Sequence, residues 1–60
     1  MFYEVLWYNE EECQNPNWME FKTRKQAMEF YEKHKNDTDK FYFWVTKRNK
    51  EGEVVEDIIY

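Results

Sequence analysis

Sixty residues carrying a net charge of −4 at pH 7 and a single cysteine allow one domain with one core. Chains of this size bury only about 60% of the surface their unfolded state exposes. No internal disulfide is possible here, which excludes the framework of a small secreted domain. Charges of both signs are interspersed and the balance is acidic, which disfavours a surface for nucleic acid or anionic lipid.

What stands in for a staple is aromatic mass. There are five Phe, five Tyr and three Trp, and each ring can bury roughly 150–250 Å². One Gly and one Pro in the chain argue against disorder. Met1-Phe2-Tyr3-Glu4 opens directly in strand-like sequence, with no basic leader, long apolar run or lipidation motif. A soluble, cytoplasmic protein with no membrane contact is therefore expected.

Phe2–Tyr8 predicts the first strand, with Phe2, Glu4, Leu6 and Tyr8 on one side and Tyr3, Val5 and Trp7 on the other. Glu10-Glu11-Glu12, then Cys13 to Asn17 with Pro16, read as a loop. Trp18–Lys22 predicts a short second strand, with Met19 and Phe21 on one face and Trp18, Glu20 and Lys22 on the other. Thr23 fits a helix N-cap, and Gln26 completes a capping box. Ala27, Phe30, Tyr31 and His34 follow as one apolar stripe of a helix over Arg24–Lys35. Glu29 and Lys33 form a favourable i,i+4 pair, and Asn36 suits a left-handed helix exit.

After the polar connection Asn36-Asp37-Thr38-Asp39, Phe41–Arg48 is the strongest strand signal, dense in aromatic and β-branched residues. Asn49-Lys50-Glu51-Gly52 predicts a type I turn closed by a glycine bulge, and Glu53–Tyr60 returns as the fourth strand. Uninterrupted pairing from that turn sets Trp44 opposite Ile58, Tyr42 opposite Tyr60, Phe43 opposite Ile59 and Val45 opposite Asp57. One hairpin face then carries Tyr42, Trp44, Val54, Ile58 and Tyr60. The other carries Phe41, Phe43, Val45, Val55 and Ile59. Antiparallel sheets normally leave one face polar, and here both are apolar.

The expected fold is α+β: a single β-β-α-β-β domain over residues 1–60, with a four-stranded, mainly antiparallel sheet and one helix packed on one face. The order 2-1-3-4 makes every neighbouring pair antiparallel. The alternative sets strand 4 beside strand 1. Either hairpin face can lie under the helix, and the Trp44 face is taken as the free one.

Catalytic chemistry finds no support. Cys13 and His34 are the only thiol and imidazole, too few for a zinc site, and nothing orients them as a nucleophile–base pair. His34 reads instead as the end of the helical stripe, where a cation suits the dipole. Asp37 and Asp39 lack the glycine and later glutamate of a calcium loop. No phosphate loop or serine elbow is present. The expectation is a non-enzyme with no cofactor, metal or small-molecule substrate.

The leftover aromatic face points to a protein partner or to self-association as a homodimer, since Trp, Tyr and Arg are the usual interface anchors. Candidate anchors are Trp7, Tyr42, Trp44, Ile58 and Tyr60, and Glu10, Glu11 and Glu12 form an acidic rim with Glu53 and Glu56. The runner-up is single-stranded nucleic acid stacked on the same rings. The acids of the closing hairpin stand against it.

Phe21-Lys22-Thr23, then Lys25-Gln26-Ala27-Met28-Glu29-Phe30-Tyr31, with the closing Val54-Val55-Glu56-Asp57-Ile58-Ile59-Tyr60, resembles a recurrent pattern. It is that of small uncharacterised proteins encoded by phages and mobile elements of low-GC Gram-positive bacteria. The resemblance implies a context rather than an activity: small phage proteins often act as stoichiometric inhibitors or adaptors of a host protein.

Overall fold

The computed structural model describes residues 1–9 and 15–59. In chain order it contains β1 (Phe2–Tyr8), β2 (Pro16–Phe21), α1 (Arg24–His34), β3 (Phe41–Arg48) and β4 (Val54–Ile59). The strands form one four-stranded antiparallel sheet in the order β2-β1-β3-β4. This is the β-β-α-β-β arrangement expected from the sequence, with β4 beside β3 and not beside β1. β2 starts two residues earlier than the sequence pattern suggests and stops before Lys22. Pro16 is tolerated there because β2 pairs on one side only, with β1, and an edge strand can spare an N–H.

The helix begins where its cap demands. Thr23 is extended, at φ −128°, and its hydroxyl accepts from the Gln26 backbone N–H at 3.2 Å. The Gln26 side chain returns the bond one residue further out than a capping box requires, accepting from the Lys22 N–H at 3.3 Å. The exit differs from expectation. Asn36 is not left-handed, because Tyr42 is the one non-glycine residue with positive φ among the described residues. Instead the Asp37 N–H donates to the His34 carbonyl at 3.0 Å, and the Asp37 carboxylate lies 2.7 Å from His34 Nδ1. The side chain thus fastens the turn that a left-handed residue would otherwise make. Among the described residues Glu29 and Lys33 form no ion pair, and Lys35 reaches Glu32 at 2.7 Å instead.

The core is small. Val5, Trp7, Ala27 and Val45 are the buried apolar residues. Val5 sits between Met19 and Val45 across two strand pairs. Ala27, fully buried, lets the helix backbone approach the sheet closely. Aromatic rings close the gap: buried Trp7 and half-buried Phe21 meet Phe30 at 5.3 and 5.5 Å between centroids. Tyr31 meets Phe43 edge-on at 5.6 Å. The helix therefore covers the face carrying Val5, Trp7, Phe43 and Val45.

The hairpin turn forms as expected. Gly52 has φ +86° and donates to the Asn49 carbonyl at 3.0 Å. The uninterrupted register does not survive beyond it. Arg48 pairs with Val54, but then Lys47 pairs with Glu56, Thr46 with Asp57 and Val45 with Ile59. Two bulges have each inserted one residue into β4. The physical reason lies in the core. Straight pairing would set the Asp57 carboxylate beside fully buried Val45, an uncompensated charge in an apolar site. The first bulge moves Asp57 opposite Thr46, on the other face, and the second sets Ile59 beside Val45. Ile58 then packs against the core cluster and does not stand beside Trp44.

Candidate functional site

The site begins with the face the helix leaves uncovered. Cross-strand partners share a face, so the register lays out its rows. Phe2, Arg48 and Val54 make the first, and Glu20, Glu4, Thr46 and Asp57 the second. Trp18, Leu6 and Trp44 make the third, and Pro16 and Tyr8 the fourth. An apolar strip thus runs beside an acidic row. Trp18 is 58% exposed and Trp44 36%, while Trp7, on the opposite face, is 8% exposed.

A third irregularity shapes the strip. Leu6 pairs with Trp44, yet Tyr8 pairs with Phe41, so Trp7 is opposed by both Tyr42 and Phe43. Tyr42 absorbs the extra residue at φ +58°. That conformation costs a bulky side chain roughly 1–2 kcal/mol. With the bulge in place, Tyr8 meets Trp44 edge to face, with centroids 6.0 Å apart and planes at 79°.

Between the rings and the acidic row lies a groove of about 310 Å³, lined by Leu6, Tyr8, Trp44, Val54, Glu4, Thr46, Arg48 and Asp57. Its one cation is already committed. Arg48 Nη2 lies 3.3 Å from Glu4 Oε1, Nη1 donates to the Gly52 carbonyl at 2.7 Å, and Nε donates to the Thr46 hydroxyl at 3.4 Å. Thr46 is a buried hydroxyl satisfied in this way. Glu20 and Asp57 have no ion-pair partner among the described residues. The face is therefore net negative even where its central pair cancels.

Elsewhere the polar chemistry serves the fold. The His34–Asp37 contact and a Lys40 ammonium 3.2 Å from the same carboxylate hold the Asp37 carboxyl below its usual value. Arg24 ties the helix start to Glu56 of β4 at 3.4 Å. A wider hollow of about 600 Å³ between β2 and the helix has Phe21 and Phe30 with Glu20, Lys22, Glu29 and Lys33 around it, charges of both signs. Trp7 Nε1 is buried without an acceptor among the described residues. Among those residues no three His, Cys, Asp or Glu side chains gather as a metal site, and no helix is long and apolar enough to cross a membrane.

Of the anchors expected from sequence, Trp44 lies on the free face and Tyr42 is half exposed at the bulge beside it. Trp7 does not belong with them: it is core, tilted against Phe30 at 5.3 Å and stacked on Phe43 at 6.2 Å. Ile58 is turned to the core by the β4 bulges. Tyr60 and the acidic run Glu10, Glu11 and Glu12 lie outside the described residues. Sequence reasoning missed Leu6, Tyr8, Trp18 and Asp57. The alternation of β1 and β2 already placed the first three together, opposite Trp7 and Met19, once one face was known to lie under the helix. Asp57 had no such signal, because its face depends on a bulge. No protein-family model, curated protein or solved structure matches the chain.

Proposed function

We propose that this protein is a non-enzymatic protein-binding module whose contact surface is the sheet face opposite the helix. The observation that supports this best is the exposure of Trp18 and Trp44 on a strip with Leu6 and Tyr8. Large rings left in water in so small a domain are costly to keep there. Trp and Tyr are also the residues that dominate binding energy at protein interfaces. The resemblance to small phage and mobile-element proteins suggests an inhibitor or adaptor of a host protein, and a single thiol fits a reducing cytoplasm. A homodimer through the same face is the self-partnered form of this reading.

Affinity capture from a lysate of the source organism, with and without nuclease, tests it. Capture that survives nuclease, fails with Trp44→Ala and persists with Glu29→Lys on the exposed helix surface is expected. Capture abolished by nuclease would replace the reading with the single-stranded nucleic-acid one. Capture lost with Glu29→Lys and kept with Trp44→Ala would move the site to the helix.

A further inference from the structure

The proposed contact face has a feature that mere stickiness does not need: a groove where two aromatic rings and unanswered carboxylate charge meet. Tyr8 and Trp44 stand at 79° to each other, so their exposed surfaces form a corner. The faces of aromatic rings are electron-rich, and a cation is attracted within about 6 Å of their centres. Asp57 lines the same groove and has no cationic partner among the described residues. Arg48 cannot serve it, because its guanidinium is held by Glu4, Thr46 and the Gly52 carbonyl.

Resting on the protein-binding reading, we propose that this groove receives one cationic side chain, Lys or Arg, carried by an extended segment of the partner protein. Three considerations fix that occupant. The volume of about 310 Å³ is at the lower end of ligand sites, right for one long side chain and small for a nucleotide cofactor. The sign of the face repels phosphate: Glu4, Glu20 and Asp57 stand in one row against the single Arg48. The apolar strip beside the groove gives the flanking residues of a peptide somewhere to lie, which a free amine would leave bare. A second copy of this chain is the poorer match, since it carries 13 acidic residues against 9 basic ones.

The test uses synthetic peptides and the intact protein labelled with nitrogen-15. The probes are acetyl-Val-Leu-Lys-Leu-Val-amide, its arginine counterpart, and the same peptide with neutral norleucine in the central position. The expected result is saturable shifts of the Trp44 indole and Asp57 amide signals with the cationic peptides. Binding of the norleucine peptide should be about tenfold weaker, and Asp57→Asn should remove most of that difference. Asp57 is exposed, so the variant is expected to fold, and its unchanged spectrum away from the groove checks this.

Equal binding of norleucine and lysine overturns the inference and leaves an apolar contact face standing. No shift with any peptide also overturns it. The wider reading is then judged by whether nuclease-resistant capture still depends on Trp44. Stronger shifts of the same signals by oligothymidylate would overturn both.

Discussion

Tyr42 offers the sharpest check on the bulge that sets the aromatic corner, because its sign reverses with backbone conformation. At an ordinary strand position glycine is less stable than alanine by about 0.5–1 kcal/mol, since it has more unfolded-state freedom to lose. At φ +58° the order inverts. Alanine there bears a left-handed penalty of about 1–2 kcal/mol that glycine escapes. Tyr42→Gly should therefore be more stable than Tyr42→Ala by about 1 kcal/mol, which in a domain of this size is roughly 4–8 °C in melting temperature. Both variants lose the same phenol ring, so its contacts cancel in the comparison. Gly52 provides a calibration. It sits at φ +86° with nothing within 4 Å of an added Cβ, so Gly52→Ala should lose about 1 kcal/mol from backbone strain alone. Thermal and urea unfolding of the three variants measure this. An alanine variant at position 42 as stable as the glycine variant would mean that the chain runs through in ordinary strand geometry. The alignment of Tyr8 with Phe41, and the corner at Trp44, would then fall with it.

Two further perturbations address the core and the helix exit. Trp7→Ala should cost about 3–5 kcal/mol, comparable with the roughly 3–9 kcal/mol that holds a domain of this length. Circular dichroism should show it largely unfolded, and a native spectrum would put Trp7 outside the core. Asp37 has its carboxyl pKa held below 3.8, first by the hydrogen bond to His34 and also by Lys40. A depressed folded pKa gives stability that is complete above the unfolded value and is lost as pH falls through the folded one. Asp37→Asn should thus lower the melting temperature at neutral pH by more than it does once the pH has fallen through the depressed folded pKa, where the aspartate is itself neutral. A deficit that stays constant through that acid window would show that the carboxylate charge is not what fastens the turn.

How much of this could be read from the residues depended on whether the signal was local. The Thr23 cap, the Ala27–Phe30–Tyr31–His34 stripe and the Asn49–Gly52 turn are each fixed within a few positions, and each forms as expected. Strand alternation gave the two faces of β1 directly. It could not say which one meets the helix, because Leu6 with Tyr8 and Val5 with Trp7 are equally apolar pairs. In the structure the helix meets the Val5–Trp7 face, where its small Ala27 packs closely with Val5 and Val45. Bulges were the blind spot. An extra residue leaves no mark in a two-residue period, and its position is set by a distant conflict, the need to keep Asp57 away from Val45. Register errors therefore propagated to Ile58, which a straight ladder sends to the free face and the real one sends to the core.

Salt should separate the possible occupants of the free face, because each meets its charge differently. Glu4 and Arg48 cancel, leaving Glu20 and Asp57 as the uncompensated charges in that row. Screening shortens from about 10 Å at 0.1 M to about 3 Å at 1 M. A lysine-bearing peptide is drawn in by those carboxylates, so added salt should weaken it modestly. Phosphates would lose affinity far more steeply, with a logarithmic slope of about −0.7 for each one neutralised on a single strand. Two copies meeting face to face would bring like charges together, and salt should strengthen their association. Sedimentation of the protein alone and titration with the lysine peptide, at about 0.05 and 0.5 M salt, read both signs in one buffer series. Self-association that weakens with salt would mean that copies meet through patches of opposite charge. The acidic row could not then be the shared surface, and the free face would be left to a foreign partner.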